Sequence, residues 1–219
     1  MGLLKKMPVP LELILFLSLI AAVILHKVIT AKDELPIYNP SDLNPQLVDR
    51  SKQGESTGHT VADFQLVNQN GKVITQADYS GKIYVADFFF TRCPTICPIM
   101  TSNMAKLQEQ FKGNDMIRLL SLSVTPEMDS VAVLRNYADR HGALDGIWNI
   151  TTGDKKHIYD LARKSYFAVV DEGDGGLQDF IHTPNFVLVD KEKRIRGIYD
   201  GTKEEEIKRL IVDIKRLLN

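Results

Sequence analysis

Two cysteines with three residues between them, each followed by proline, stand in TRCPTICPIM, which begins at Thr91. They are the only 2 cysteines in 219 residues, and they follow directly on an apolar run, KIYVADFFF. A thiol pair at the end of a strand can be a structural disulfide, a redox couple or a soft-metal site. If a helix begins at the pair, the i,i+4 spacing puts both sulfurs on one face. The positive end of the helix dipole also favours thiolate there. Thiolate is both the nucleophile of disulfide exchange and a soft-metal ligand, so electrostatics alone does not separate the two uses. Spacing helps more. Dithiol oxidoreductases usually carry C-x-x-C, and the extra residue here suits a metal held between two sulfurs. A structural disulfide would close a very short loop, where the entropic gain is small.

Two thiolates leave Cu(I) or Zn(II) short of ligands, and imidazole is the leading candidate for the third. Beyond the N-terminal region the histidines are His59, His141, His157 and His182. His59 falls in an irregular stretch, and His141 and His157 lie at or within expected helices. His182, in DFIHTPNFVLVD, directly precedes a strand expected to run beside the one that carries Cys93. Position alone leaves it either a ligand or a loop histidine. Met100 and Met104 share a helical face and are read as core. DEGDGG (171–176) does not have the spacing of an EF-hand loop and reads as a solvated turn.

The elements that must position these residues follow from the hydrophobic pattern. Two short alternating runs flank Asn70-Gly71, a hairpin signal. Residues 83–90 read as a buried strand, 100–111 as a helix, 116–124 as a strand, 130–141 and 155–164 as helices. Residues 186–189 and 195–199 form a strand pair turning at Asp190-Lys191, and Thr202 is the expected cap of a last amphipathic helix. Such alternation predicts an α/β sheet with helices on both faces. Chemistry in such a sheet sits at the carboxyl end of a central strand, where TRCPTICP falls.

The composition is that of a globular protein, 44% hydrophobic and 25% charged with formal net charge −1. There is no Lys/Arg-rich block, so nucleic acid is not an expected partner. Residues 1–33 are expected to be a single transmembrane helix. Lys5 and Lys6 precede an apolar stretch from Val9 to Ile29, and about 20 such residues span a bilayer. A cleaved signal peptide fits less well, because Ile29 and Ala31 make a poor cleavage pair. The positive-inside rule then leaves the lysines in the cytoplasm and the C-terminal bulk outside it, on the periplasmic side in a Gram-negative cell. Residues 34–60 read as a linker and 61–219 as one exported domain.

FFFTRCPTICPIM, SVTPEMDS and IHTPNFVLVD, in this order, resemble the Sco/SenC family over essentially all of residues 61–219. The resemblance implies a thioredoxin-like fold, here with an N-terminal β-hairpin extension. It also implies a metallochaperone, rather than an enzyme proper, that binds copper and assists assembly of the binuclear CuA site of cytochrome c oxidase. Residue by residue it assigns Cys93, Cys97 and His182 as copper ligands. The implied partners are cytochrome c oxidase subunit II or another copper-receiving protein, a thiol reductant, and the membrane through the N-terminal helix. Thr95 and Ile181 stand where many relatives have acidic residues. Two features are similar to thioredoxin itself: Asp87, like its buried proton-accepting aspartate, and Thr183-Pro184, like its cis-proline. They support the alternative, a thiol–disulfide oxidoreductase that uses Cys93, Cys97 and Asp87 and reduces copper-site cysteines before metal arrives. A peroxidase using Arg92 beside Cys93 would leave Cys97 and His182 without a role.

Overall fold

The computed structural model of the chain describes residues 10–169, 176 and 180–218, and their side chains except for those of 26–33. Lys5, Lys6 and all of the DEGDGG turn but Gly176 lie outside the described residues. The chain divides into two compact units, Met1–Leu35 and Pro36–Asn219.

The first unit holds α1, Leu11–Asp33, which begins after Pro10. The expected membrane span is not sustained: among the described residues no helix is long and apolar enough to cross a membrane. The sequence gives a physical reason. The uncharged run extends only from Leu13 to Leu25. At 1.5 Å per residue it covers about 20 Å of a hydrocarbon core about 30 Å thick.

The second unit is α/β, built on one seven-stranded mixed sheet in the order β2-β1-β5-β4-β3-β6-β7. β1 (Gln65–Asn68) and β2 (Val73–Thr75) form the expected hairpin, with Gly71 supplying the positive φ, 71°, that the turn needs. β3 (Ile83–Phe89) is buried along its whole length, as a central strand covered on both faces must be. β4 (Ile117–Ser123) runs parallel to it, and β6 (Asn185–Val189) antiparallel. β7 (Ile195–Asp200) is the outer strand.

Strand alternation sorts the side chains of β3. Tyr84, Ala86 and Phe88 join a core cluster with Phe64, Tyr159, Tyr166 and Phe167. On the opposite face lie Asp87 and Phe89, and the Phe89 ring stands 5.3 Å from that of Tyr137. Tyr137 belongs to α3 (Val131–His141), which starts at the Ser130 cap. Its hydroxyl is 2.6 Å from Thr101 Oγ1 on α2 (Cys97–Phe111).

Three local features differ from expectation. A seventh, unexpected strand, β5 (Trp148–Thr152), pairs in parallel with β4 and antiparallel with β1, so the hairpin is part of the main sheet. Its sequence, WNITT, is short and half polar, too brief to show a period. The helix expected over 155–164 is α-helical only as α4 (Lys155–Asp160). It then widens into a π turn, Leu161–Ser165, closed by Tyr166 N–H donating to Leu161 O at 2.8 Å. Thr202 is not the cap of α5 (Glu204–Leu218). Its hydroxyl donates to Asp200 Oδ1 at 2.5 Å, and Glu204, Glu205 and Glu206 supply the negative charge that the helix start favours.

Residues 36–60 run along the second unit. Two 3-10 turns, Pro40–Asp42 and Pro45–Leu47, shape the segment. Tyr38 bridges Ile195 on β7, Arg196 Nε donates to Pro36 O at 3.0 Å, and Val48 is fully buried in the core cluster. His59 is buried as well, its Nε2 2.8 Å from Ser165 O. Because a carbonyl accepts, Nε2 carries the proton. Val48→Ala should therefore cost the folded protein about 2 kcal/mol in denaturant unfolding, in line with loss of buried methyl groups. A change below about 0.5 kcal/mol, the surface range, would mean that the segment contributes nothing to the domain.

Candidate metal and dithiol site

The cysteines fall where β3 ends and α2 begins. Phe90 O accepts from Cys93 N at 3.3 Å, closing the turn. Pro98 occupies the first turn of α2, where no backbone donor is needed. Both thiols are free and buried, Cys93 being 6% exposed and Cys97 2%. Cys97 N–H donates to Cys93 Sγ at 3.4 Å, and Thr95 Oγ1 lies 3.6 Å from the same sulfur. The threonine that replaces an expected acidic residue thus faces the thiol.

The two thiols are driven apart. Burial pushes Cys93 up, but the backbone amides of Cys97 and Thr95, aimed at its sulfur, outweigh this and bring it down to about 6. Burial pushes Cys97 up to about 12, and Cys93 and Asp87 add to the rise against the lowering amide of Phe90. One sulfur is a thiolate at neutral pH and the other a thiol, the division of labour that a nucleophile and a resolving or second-ligand cysteine require.

Asp87 is buried in the middle of β3. Ser121 Oγ donates to its Oδ1 at 2.5 Å, and Trp148 Nε1 donates to Ser121 Oγ at 2.9 Å. Burial raises Asp87 to about 7 despite the Ser121 bond. Cys97 feels its charge. Ser121 and Trp148 were not legible as site residues. Trp148 belongs to the unforeseen strand β5, and a serine inside an apolar strand gives no sequence signal of its partner.

His182 is exposed, in the irregular segment leading into β6. It reaches the cysteine turn through aromatic contacts: its ring is 6.3 Å from Phe90 and 6.4 Å from Phe180, and Phe90 and Phe180 pack edge-on at 5.1 Å. Phe90 is also the residue whose carbonyl closes the cysteine turn. Among the described residues no three His, Cys, Asp or Glu side chains stand close enough to hold a metal ion. Cys93 and Cys97 come together, Asp87 acts on Cys97 through its charge, and His182 stands outside the pair. The other histidines are engaged elsewhere. His59 is bound to Ser165, His141 packs on Tyr137, and His157 Nε2 accepts from Gln65 N. Ile181, where an acidic residue was expected, is buried in the core cluster. The described residues contain no cis peptide bond, so the likeness of Thr183-Pro184 to a cis-proline does not extend to its geometry. Met100 and Met104 are fully buried core residues.

A mixed sheet bearing a free thiol pair at a strand-to-helix turn defines a thioredoxin-like protein with a dithiol site. The SCO1/SenC family model matches residues 52–219, and the chain belongs to that family. It is 33% identical over 159 residues to the SCO1 protein homolog of Bacillus subtilis, covering 72% of this chain and 82% of that one. Among solved structures, a SCO1/SenC family lipoprotein from Bacillus anthracis superposes with a TM-score of 0.65 at 33% identity, covering 74% of this chain and 96% of that one. BsSco, a member of the Sco family of cytochrome c oxidase assembly proteins in which a disulfide switch was identified, superposes at 0.62 with 33% identity, covering 73% and 93%. ScoI of Bradyrhizobium japonicum, solved with copper bound, shares the fold at 23% identity and a TM-score of 0.56, covering 72% of this chain and 99% of that one.

The raised Asp87 has a consequence for stability. The unfolded chain loses this proton near the ordinary carboxylate value, the folded one near 7. Between those pH values the folded state binds more protons, so stability falls as pH rises through the window and levels off above it. Asp87→Asn removes that loss. The variant should gain on wild type between about pH 4 and pH 7, by on the order of 4 kcal/mol at the upper end. Unfolding midpoints measured across this range check it, and a pH-independent difference would mean that Asp87 is ionised throughout.

Proposed function

We propose that this chain is a copper metallochaperone that takes copper as cargo through Cys93, Cys97 and His182 and assists assembly of the CuA site of cytochrome c oxidase. The observation that carries the reading is the thiol pair itself, two free sulfurs at one helix start, one of them already biased to thiolate. Two soft sulfurs with a nearby imidazole suit Cu(I) better than hard cations. Family membership and the copper-bound relative support the same reading. In it, Cys93 would offer the first ligand, Cys97 would give up its proton as the second, and His182 would supply the third. The receiving partner would be cytochrome c oxidase subunit II or another copper-accepting protein.

The reduced protein should take up one equivalent of Cu(I). Either cysteine changed to serine should nearly abolish uptake. His182→Ala should leave the fold intact, because the residue is exposed, and weaken affinity by at least the roughly tenfold seen when even an outer partner of a ligand is lost. Competition against a chromophoric Cu(I) chelator measures all three. Full-strength binding by His182→Ala would remove that residue from the ligand set.

A second reading, thiol–disulfide exchange, is favoured by one specific observation: a carboxylic acid held near 7 whose charge is felt by the thiol held high. When a mixed disulfide on Cys93 resolves, Cys97 Sγ attacks the Cys93 sulfur, the partner leaves as thiolate, and Asp87 takes the Cys97 proton. Copper binding needs no such acceptor, since metal displaces thiol protons itself. Asp87→Asn should slow reduction of a partner disulfide by about 100-fold, the lower end for a general base, and leave Cu(I) affinity near wild type. Weakened copper binding with unchanged exchange would transfer Asp87 to the metal's surroundings.

A further inference from the structure

Asp129 lies outside the site as described so far, within SVTPEMDS, and is fully buried. Its carboxylate accepts four hydrogen bonds. Two come from the cysteine turn, from Thr91 N at 3.2 Å and Thr91 Oγ1 at 2.6 Å. Two come from the end of β4 and the loop after it, from Ser123 Oγ at 2.6 Å and Thr125 Oγ1 at 3.1 Å. All four donors are neutral. A buried acidic side chain that needs four donors is a costly way to fill space, and an apolar side chain would need none. What the carboxylate adds is geometry, because it ties together two loops that leave the same ends of the parallel strands β3 and β4.

We infer that Asp129 is a positioning residue for the cysteine site and acts through Thr91. Thr91 is two residues before Cys93 and directly follows Phe90, whose carbonyl closes the turn on Cys93 N. With Thr91 held at both its amide and its hydroxyl, the turn cannot slide along the end of β3. Cys93 Sγ is thereby kept in front of the Cys97 amide. Val124 N–H donating to Phe89 O at 2.8 Å joins the same two strand ends, so the carboxylate extends an existing link as far as the turn. The inference deepens the copper reading and rests on it for one of its two readouts.

The test uses the full chain with Thr91→Val, Thr91→Ser and Asp129→Asn. Thr91→Val keeps the shape and loses the hydroxyl donor, and Thr91→Ser restores it. Three quantities are measured on reduced protein: the rate at which Cys93 attacks a small aromatic disulfide at fixed pH, Cu(I) affinity by chelator competition, and the unfolding midpoint. Thr91→Val should slow the attack and weaken Cu(I) each by about five- to tenfold, the effect of one lost hydrogen bond, and Thr91→Ser should recover both. Asp129→Asn should act in the same direction at least as strongly. If Asp129→Asn does not fold, the two Thr91 variants decide. Wild-type exchange in Thr91→Val, with only the unfolding midpoint lowered, would overturn the inference and leave Asp129 a structural residue. Should the wild type bind no Cu(I), the copper reading fails, and the exchange rate still decides the role of Asp129.

Discussion

The hydrogen bond from Cys97 N–H to Cys93 Sγ is the constraint on which the site depends. The first amides of a helix have no partner inside it and are usually met by a Ser, Thr, Asp or Asn side chain at the cap. In α2 the cap position is Ile96, which offers no side-chain acceptor. The sulfur of Cys93 takes that place. A thiolate accepts better than a thiol, so the need of the helix for a cap and the low proton affinity of Cys93 are one effect seen from two sides. The three-residue spacing follows as well: the sulfur must reach back to the first helical amide, and Cys97 supplies that amide while its own side chain points into the protein.

Beneath the turn, two buried aspartates serve opposite ends. Asp129 is surrounded by four donors and lies between loops. Asp87 lies within β3, where Ser121 is its hydrogen-bond donor and desolvation dominates. A carboxylate rich in donors can hold backbone in place, and one poor in donors keeps a proton that it can exchange near neutrality. The sheet order makes the second arrangement possible. Ser121 is opposite Asp87 in the β3–β4 register, and β5 on the far side of β4 brings Trp148 to orient the serine hydroxyl.

Much of this was legible in the sequence because it rests on period and punctuation. The hairpin announced itself by Asn70-Gly71, β3 by an unbroken apolar run, and α2 by Met100, Met104, Leu107 and Phe111. The cysteine pair was legible as a site because it occurs once, at the strand-to-helix turn. What escaped depended on partners distant in the chain. WNITT has no amphipathic period, and it becomes a strand because β4 and β1 offer edges on both sides. Residues 36–60 look like a spacer because prolines and polar residues break every period, yet Val48 is buried in the core cluster and Tyr38 bridges Ile195 on β7. The long reading of the N-terminal span counted residues past the charged end of the apolar run. Asp129 stood inside a motif already singled out, but nothing in its neighbourhood tells that its carboxylate reaches Thr91.

The asymmetry of the thiols bears on how one site could serve both metal and disulfide chemistry. Exchange would use the difference directly, with Cys93, the thiolate, as the attacking sulfur and Cys97, the protected thiol, as the resolving one. Copper binding has to erase the difference, because both sulfurs must be thiolates to ligate. Under the copper reading nearly the whole cost of deprotonation falls on Cys97, which is buried and pushed up to about 12, and the metal–sulfur bond must offset it. A weakly thiophilic ion would not. A soft ion does so best, since its strong bonds to sulfur offset the cost of removing the Cys97 proton. Under the two readings the same burial would protect Cys97 as a resolving thiol and would demand a thiophilic ion, so both readings ask for the same side chains in the same places.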